Sequence, residues 1–257
     1  MSTTTSRPAA LVTGGAIRLG KAIAKGLAAS GYDIVLHYGR SEADAKRAQT
    51  ELQSMGIGCV LAPFDLSTAT DFAGYIDQAF AMAPNLTVLV NSASGYTQAT
   101  LADTTLTDFD ALFAVNLRAP FFLSQAFAAR LQRAGSIINV LDNKIGFNQP
   151  NYAAYLLSKQ ALAQLTELAA LEFAPAIRVN AVAPGVVMPA GSRSDDYVRW
   201  RLSAIPLGVQ GQADQIVSAI QFLLTNAFVT GQIITVDGGE NIAQTGRNAG
   251  DFDPSKI

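Results

Sequence analysis

Apolar residues in this chain fall into short runs, separated by alanine-rich stretches with helical spacing. The runs AALVTGG, DIVLHYG and CVLAPFD are followed by LTVLVNSAS, GSIINVLD, IRVNAVAPG and QIITVDGG. They are apolar through most of their length and do not alternate with polar residues, as is typical of strands buried on both faces of a parallel sheet. The pattern therefore predicts about seven parallel strands.

Helices are predicted between most of these strands. They cover about residues 19–29, 42–55, 109–133, 155–173 and 214–224. Strand–helix alternation of this kind is typical of βαβ units, which bury a parallel sheet under helices on both faces. No repeat, low-complexity tract or linker interrupts the pattern. Residues 1–257 are therefore predicted to form a single Rossmann-type, doubly wound α/β domain.

The composition and charge of the chain indicate which class of molecule it binds. The 257 residues are 49% hydrophobic and 15% charged, with a formal net charge of -2 and a pI near 5.4. This balance gives no basic footprint for nucleic acid or an anionic membrane, so a small-molecule partner is expected. No apolar segment approaches the roughly 18 residues of a membrane span. Cys59 is the only cysteine and the N-terminal stretch has no signal-peptide core, which favours a cytoplasmic protein.

The segment TGGAIRLG, residues 13–20, follows the first predicted strand and opens the first predicted helix. In that setting Gly14 allows a tight turn, Gly20 lets helix and strand pack closely, and the helix N-terminus offers N–H groups to a pyrophosphate. A loose glycine pattern is weak evidence by itself, and an ordinary strand-to-helix turn is the alternative. The unusual residue is Arg18, which stands where a third glycine is expected.

A second candidate for chemistry is YLLSK, in which Tyr155 and Lys159 are four residues apart and share one face of a predicted helix. A lysine ammonium near a phenol favours the phenolate and draws the phenol pKa down from about 10. The hydroxyl can then pass a proton to a substrate that receives hydride. The alternative is an amphipathic helix with two solvated polar residues. Tyr152 has Leu156 at the matching position and is the weaker candidate.

These two motifs, together with NSAS at 91–94, Asn116, APG at 183–185 and VDGG at 236–239, resemble the short-chain dehydrogenase/reductase family. The resemblance covers nearly the whole chain, in order and at the family's spacing. It implies a Rossmann fold that binds NAD(H) or NADP(H).

The resemblance also implies catalytic roles. Tyr155 would be the proton donor or acceptor, Lys159 would hold the ribose and tune Tyr155, and Asn116 would complete a water-linked proton relay. The family further implies a homo-oligomer, such as a tetramer, and no metal site is predicted.

Asp142 departs from the family pattern, since most members carry a serine thirteen residues before the tyrosine. An ionised carboxylate accepts hydrogen bonds and would repel the oxyanion that develops in ketone reduction. Ordinary ketone reduction is therefore disfavoured. Either an apolar pocket keeps Asp142 protonated, or it faces a substrate that presents N–H donors or needs a proton at nitrogen. A degenerate site that has lost its serine is the remaining alternative.

Arg18 and Asp142 together resemble one branch of the family. TGGAIRLG resembles the TGxxxRLG motif of pteridine reductases, which also replace the serine with aspartate, and dihydromonapterin reductases resemble this branch too. The resemblance implies that Arg18 lies at the pyrophosphate and the mouth of the substrate pocket, although an exposed arginine without a ligand is the alternative. It also implies that Ser94 bonds the pterin and that Tyr96 stacks on its ring, unless Tyr96 is a surface loop residue.

Cofactor preference is predicted from HYGRS, residues 37–41, at the end of the second strand. An NAD-specific site usually offers an acidic residue to the adenine ribose here, and none is present. Arg40 and Ser41 can instead bind a 2′-phosphate, with His37 either as a further contact or as a structural residue. The similar HxRS stretch of pteridine reductases implies NADPH as reductant.

The family pattern supplies a larger set of expected cofactor contacts, in which Asp65 meets the adenine amino group and Val187 replaces a missing threonine after the PG turn. The set is Gly14, Arg18, Leu19, Gly20, His37, Tyr38, Arg40, Ser41, Asp65, Leu66, Asn91, Ser92, Ala93, Tyr155, Lys159, Pro184, Gly185 and Val187. The expected substrate contacts are Arg18, Ser94, Tyr96, Asp142 and Tyr155.

Residues 187–207 form the region that closes over the substrate in this family, and they include the only tryptophan, Trp200. The second half of this segment is equally consistent with an amphipathic surface helix. The leading hypothesis is an NADPH-dependent reductase that transfers hydride to a C=N bond of a pterin, with Tyr155, or water organised by Asp142, as proton source. The alternatives are a carbonyl or alcohol oxidoreductase and an NADPH-binding sensor or scaffold without turnover.

Overall fold

The computed structural model describes residues 7–188, 194–244, 247 and 252–256. The predicted seven-stranded parallel sheet is confirmed. Its strands are β1 (Ala9–Val12), β2 (Asp33–Tyr38), β3 (Cys59–Pro63), β4 (Leu86–Asn91), β5 (Gly135–Val140), β6 (Ile177–Pro184) and β7 (Ile233–Val236). They lie in the order β3-β2-β1-β4-β5-β6-β7, and every pair is parallel.

Helices cover both faces of the sheet. The helices of the described residues are α1 (Arg18–Ala29), α2 (Glu42–Ser54), α3 (Phe72–Met82), α4 (Leu106–Phe113), α5 (Ala119–Arg130), α6 (Ala153–Glu172), α7 (Asp195–Leu202), α8 (Ala213–Thr225) and α9 (Glu240–Ala243). Apolar side chains of α1, α2 and α8 pack on one face of the sheet. Those of α3, α5 and α6 pack on the other, as expected for a doubly wound fold.

Helix α3 is absent from the sequence-based prediction. Asp71 caps it by accepting a 2.8 Å hydrogen bond from the backbone N–H of Gly74. Phe72, Ile76 and Phe80 recur at helical spacing and are buried against the sheet. Both signals, an N-cap aspartate and an apolar stripe, were present in the sequence. The connection between parallel strands β3 and β4 also requires a crossover of this kind.

The helix predicted over residues 109–133 has different bounds. It begins at Leu106, where Thr105 accepts a 3.1 Å hydrogen bond from the N–H of Asp108, and it ends at Arg130. A π-helical turn, Ala114–Arg118, joins α4 to α5. Pro120 has no N–H to donate to the carbonyl four residues earlier, so the regular α-helical pattern is interrupted here.

The continuous helical run Leu106–Arg130 has the length and apolar composition of a membrane span, and within the described ranges it is the one segment that does. The expectation that no apolar segment approaches this length was therefore wrong. Leu123 and Phe127 of this run are fully buried in the core beside α3. Part of the apolar composition therefore serves packing in the core.

The strand order determines where a ligand can bind. From β1 the chain continues to β2 on one side, whereas β4 lies on the other side of β1. The crossovers on the two sides of this position run in opposite directions, which opens a crevice at the carboxyl ends of the strands. The loops that follow β1, β2, β4, β5 and β6 all meet there.

Candidate active site

A cleft of about 650 Å³ opens at the carboxyl ends of the strands, beside the switch from β1 to β4. Most of the site residues predicted from the sequence line this cleft. The expected site residues that line it are Gly14, Arg18, Leu19, Gly20, His37, Tyr38, Arg40, Ser41, Asp65, Leu66, Ser92, Ala93, Ser94, Asp142, Tyr155, Lys159, Pro184, Gly185 and Val187. Asn91, Asn116 and Tyr96 do not line this cleft, and their positions are described below.

The turn after β1 fits its glycines closely. Gly14 has a φ of +63°, and a Cβ there would lie 2.9 Å from Cα of Ala93. A Cβ on Gly20 would lie 2.1 Å from the carbonyl oxygen of Gly14. Side chains are therefore excluded at both positions, which leaves the backbone of the turn open to the cleft.

Thr13 holds this turn against the loop after β4. Its Oγ1 accepts hydrogen bonds from the N–H groups of Ser92 at 2.9 Å and Ala93 at 3.0 Å. Thr13 also donates to the carbonyl of Val90 at 3.3 Å. Sequence reasoning missed this residue, although the threonine that opens TGG was the available signal.

Arg18 adopts the left-handed backbone conformation that glycine prefers, with a φ of +50°. A non-glycine residue in this region costs on the order of 1–2 kcal/mol. The Arg18 guanidinium donates to the carbonyl oxygen of Met188, in the segment that follows β6. The side chain thus bridges the glycine turn and the start of residues 187–207, and the strain indicates a role that glycine would not fill. Residues 189–193 of that segment lie outside the described residues.

His37 is buried and both its ring nitrogens contact backbone. Nδ1 accepts a 2.9 Å hydrogen bond from the N–H of Gly14, so Nε2 carries the proton and donates to the carbonyl of Phe64, also at 2.9 Å. Burial lowers the pKa of His37 to about 4, against the opposing effects of the Phe64 carbonyl and Asp65. The imidazole is therefore neutral and has no free donor for a 2′-phosphate. Of the two alternatives for His37, these contacts favour the structural one.

Arg40 and Ser41 lie at the far end of the cleft. The side chain of Arg40 is 87% exposed, and Nη2 lies 3.7 Å from Oδ2 of Asp65. Ser41 is the N-cap residue of α2, but its side chain does not cap the helix. Asp65 accepts hydrogen bonds from the backbone and side chain of Ser67, which together lower its pKa. A cation and a hydroxyl are thus available at the end of β2.

Asp142, Tyr155 and Lys159 form the polar centre of the cleft. The phenol of Tyr155 donates a 2.8 Å hydrogen bond to Oδ2 of Asp142. The other carboxylate oxygen, Oδ1, accepts from the backbone N–H of Lys144 at 2.9 Å, at the start of a 3₁₀ turn, Asn143–Gly146. Nζ of Lys159 donates to the carbonyl of Val140 at 2.9 Å.

These contacts correct the expected tuning of Tyr155. Burial, the charge of Asp142 and the hydrogen bond to Asp142 raise the pKa of Tyr155 well above its usual value, and Ser94 opposes them only partly. The expectation that Lys159 draws this pKa down was wrong for this structure, because burial and the Asp142 carboxylate raise it. Burial itself lowers the pKa of Lys159 to about 8, against the charge of Asp142. Tyr155 is therefore a neutral phenol at ordinary pH.

Asn116 lies on the π-helical turn and is fully buried. Its Oδ1 accepts from the N–H of Gly95 at 2.8 Å and from the hydroxyl of Ser94 at 3.2 Å. Its Nδ2 donates to the carbonyl of Gly95 at 3.1 Å and to Oγ of Ser158 at 3.0 Å. The amide thus holds the loop after β4 to helix α6. It orients Ser94 and does not itself line the cleft.

The side chain of Asn91 turns away from the cleft, contrary to its assignment as a cofactor contact. Its Nδ2 donates to Oδ1 of Asn139 at 2.8 Å and to Oγ of Ser124 at 3.3 Å. Asn139 in turn donates to Thr166 at 2.9 Å. These buried amides link β4, β5, α5 and α6.

Tyr96 lies beside the catalytic candidates, on the rim of the cleft. Its ring stacks on Tyr152 with centroids 5.0 Å apart and meets the ring of Tyr155 edge-on at 4.7 Å. Nζ of Lys144 lies 4.5 Å from the centroid of the Tyr152 ring and 3.5 Å from the Tyr96 hydroxyl. Tyr152, the weaker proton-transfer candidate, therefore supports Tyr96. About half of the Tyr96 surface remains exposed and can receive a planar ring.

Known proteins resemble this chain in sequence and in fold. The family model adh_short_C2, described as enoyl-(acyl carrier protein) reductase, matches residues 15–241. Pteridine reductase 1 of Leishmania tarentolae is 32% identical, over 95% of this chain and 100% of its own. The 3-oxoacyl-[acyl-carrier-protein] reductase FabG of Staphylococcus aureus (strain Mu50 / ATCC 700699) is 31% identical, over 90% and 96% respectively.

A solved structure is similarly close. The crystal structure of FolM alternative dihydrofolate reductase 1 from Brucella canis, complexed with NADP, superposes with a TM-score of 0.85. It is 31% identical and covers 91% of this chain and 94% of its own. With the family model matching most of the sequence and the sheet order and cleft as described, the chain belongs to the short-chain dehydrogenase/reductase family of oxidoreductases.

Proposed function

We propose that this protein is an NADPH-dependent reductase that transfers hydride to a C=N bond of a dihydropterin-type ring. One observation carries the proposal: an aspartate, Asp142, stands where most family members have serine, and it accepts a hydrogen bond from the Tyr155 phenol. Both carboxylate oxygens act as acceptors, towards Tyr155 and towards the N–H of Lys144. Such a group suits a substrate that is rich in N–H donors, and a pterin is one.

The cleft fits NADPH in several respects. Bare backbone at Gly14 and Gly20, at the start of α1, suits a pyrophosphate. Arg40 and Ser41 supply a cation and a hydroxyl at the end of β2, where a 2′-phosphate would lie, and no acidic residue occurs in residues 37–41. The NADP complexes of the Brucella FolM proteins support the same choice of cofactor.

The residues around Tyr155 suit proton delivery to nitrogen. When bound, NADPH would supply hydride to the carbon of the C=N bond and leave as NADP⁺, and one proton completes the amine at nitrogen. Because burial and Asp142 keep Tyr155 protonated, the phenol is the proton donor. Asp142 orients the phenol and accepts the N–H groups of the ring. A proton from water then restores Tyr155.

Arg18, Ser94 and Tyr96 would hold the substrate ring. Arg18 extends from the glycine turn towards Met188, across the mouth of the cleft. Asn116 orients the Ser94 hydroxyl, and Tyr96 offers an exposed ring face on a stacked support. Planar aromatic heterocycles stack well on such a face.

A carbonyl reductase is the second candidate, and the similarity to FabG favours it. In that case Asp142 would have to be protonated and donate to a carbonyl oxygen. Its hydrogen bonds run the other way, since both oxygens accept from N–H and O–H donors. The geometry of Asp142 therefore supports the pterin substrate over the ketone.

The exposed apolar side chains of helices α5 and α6 support a homo-oligomer. Phe121, Leu168 and Leu171 are 44%, 55% and 81% exposed. Size measurement in solution by light scattering tests this expectation, and a monomer at micromolar concentration would contradict it.

The function is tested by following NADPH oxidation with dihydropterins, dihydrofolate and a panel of ketones, with NADH as cofactor control. We expect turnover of dihydropterins and a strong preference for NADPH. Turnover of ketones alone would assign Asp142 the donor role instead. Saturable NADPH binding without turnover of any acceptor would indicate a sensor or scaffold.

A further inference from the structure

A buried ion pair lies outside the catalytic residues described so far. Nη1 of Arg201 is 2.5 Å from Oε1 of Glu240, and their side chains are 8% and 0% exposed. Burying two charges costs as much as their attraction returns in many proteins, so such a pair is weak evidence for stability alone. Its better-attested use is to specify one arrangement of the elements that it joins.

The pair joins helix α7 to helix α9, which follows VDGG. Arg201 lies in the last turn of α7, which is the helix within residues 187–207. Glu240 is the first residue of α9, directly after Gly239. The pair therefore links two residues that are 39 positions apart in the sequence.

A second link runs from Glu240 to the residue next to Asp142. Nδ2 of Asn143 donates to Oε2 of Glu240 at 2.9 Å and to Oδ2 of Asp237 at 3.1 Å. Asp237 is itself fixed, since its carboxylate accepts from the backbone N–H groups of Gly239 at 2.9 Å and Asn241 at 2.7 Å. Asn143 opens the 3₁₀ turn in which the backbone N–H of Lys144 donates to Oδ1 of Asp142.

We propose that Arg201, Glu240 and Asn143 form a positioning relay that couples helix α7 to the carboxylate of Asp142. The relay rests on the proposed function for the role of Asp142. Arg201, fixed in α7, pairs with Glu240, and Glu240 accepts from Asn143, which precedes the Lys144 N–H that donates to Asp142. The position of the Asp142 carboxylate, and of the Tyr155 phenol that donates to it, is thereby tied to the position of α7.

The charges around the relay support this coupling. Lys144, the next residue after Asn143, is buried, and burial lowers its pKa. Asp142 and Glu240 oppose that effect, whereas Arg201 adds to it. Loss of Glu240 alone would leave Arg201 buried without its carboxylate partner and would remove one of the two anions that act on Lys144.

The test uses E240Q and N143A in the full-length protein. E240Q removes the charge at the ion pair, whereas N143A leaves the pair intact and removes the hydrogen bonds from Asn143 to Glu240 and Asp237. Trp200, the only tryptophan, precedes Arg201, so its fluorescence reports the environment of α7 independently of activity. R199M is the control, because Arg199 pairs with Asp196 on the exposed side of the same helix.

We expect both variants to raise the KM for the acceptor or lower kcat by roughly tenfold to 100-fold, as small misplacements near a reacting centre do. The Kd for NADPH should stay within about twofold of wild type, as for changes remote from the cofactor's contacts. Trp200 emission should shift in E240Q and not in N143A. R199M should match the wild type in all three measurements.

The double variant R201M/E240M separates positioning from stability. Replacement of a buried pair by apolar residues of similar size is often neutral or stabilising, so we expect its thermal stability to exceed that of E240Q. If acceptor kinetics recover together with stability, the pair has only a structural role and the relay is wrong. Unchanged acceptor kinetics in folded N143A would overturn it as well.

The outcome is distinguishable from failure of the proposed function. Wild-type protein that reduces no dihydropterin refutes the pterin substrate, and the variants are then compared on whichever acceptor the wild type does reduce. If the wild type reduces none, unchanged Trp200 emission in E240Q overturns the relay, and a shifted emission supports its first link.

Discussion

The phenol of Tyr155 donates a hydrogen bond to Oδ2 of Asp142, and the two oxygens lie 2.8 Å apart. In a site of this family, the tyrosine is thus paired with a carboxylate that raises its pKa, where a neutral serine is usual. Burial and this pairing keep the phenol protonated, so Tyr155 holds the proton that a reduction requires. Two predictions follow for the two members of the pair.

The first concerns Tyr155. Y155F removes the donated proton but keeps the ring and its edge contact with Tyr96. We expect turnover of a dihydropterin to fall by roughly 10²–10⁴-fold, the usual contribution of a general acid. The Kd for NADPH, measured by fluorescence titration, should change little. Near-full activity in Y155F would remove Tyr155 from the mechanism.

The second concerns Asp142. D142S restores the residue that most family members have at this position. We expect dihydropterin reduction to fall by at least about tenfold, since the acceptor of the substrate N–H groups is weakened. Ketone reduction should stay the same or rise. D142N is the matched control for shape, and pterin turnover unaffected by both changes would exclude a role for the carboxylate.

Arg18 offers a test in which stability and function should move in opposite directions. R18G relieves the left-handed backbone at φ +50°, so we expect the free energy of unfolding to rise by about 1 kcal/mol. The same change removes the contact with Met188, and acceptor kcat/KM should fall. Q244G is the control, because Gln244 has φ +51° but does not line the cleft. Equal kinetics in both variants would contradict a binding role for Arg18.

His37 predicts a sensitivity to acid. Its pKa is about 4 in the folded chain and 6.5 in the reference state, so the unfolded chain binds the proton more readily between these values. Folded stability is therefore full above about pH 6.5 and falls as the pH drops towards 4, by an amount on the order of 3 kcal/mol. Urea unfolding at several pH values measures this slope.

H37Q is the matched variant for that measurement. Its amide can accept from Gly14 and donate to Phe64, but it does not titrate. We expect a shallower loss of stability in H37Q between pH 6.5 and 4. An identical pH dependence of the free energy of unfolding in the two proteins would show that groups other than His37 cause the loss of stability in acid.

Arg40 is the test of cofactor preference. Its guanidinium is exposed and its one ion pair in the described structure, with Asp65, is long at 3.7 Å. R40A should therefore raise the KM for NADPH by about tenfold or more, as for loss of a charge-assisted contact to phosphate, and leave the KM for NADH nearly unchanged. A proportional loss with both cofactors would show that Arg40 does not bind the 2′-phosphate.

The sequence by itself determined the class of fold and most of the polar residues that line the cleft. Apolar runs without alternation can be buried only in a sheet covered on both faces, and they gave all seven strands. The glycines at 14 and 20, and the four-residue spacing of Tyr155 and Lys159, are local patterns that depend on nothing distant. Asp142 and Arg18 were visible as departures from a known pattern.

Only the tertiary structure decided what these side chains contact. His37 meets Gly14 and Phe64, which are 23 and 27 residues away in sequence, and these partners make it neutral. The pKa of Tyr155 depends on burial and on an anion 13 residues away, neither of which the helical spacing reports. Arg201 and Glu240 were unremarkable charges in the sequence, because only folding buries them together. Local periodicity fixes elements, whereas burial and distant partners fix protonation and geometry.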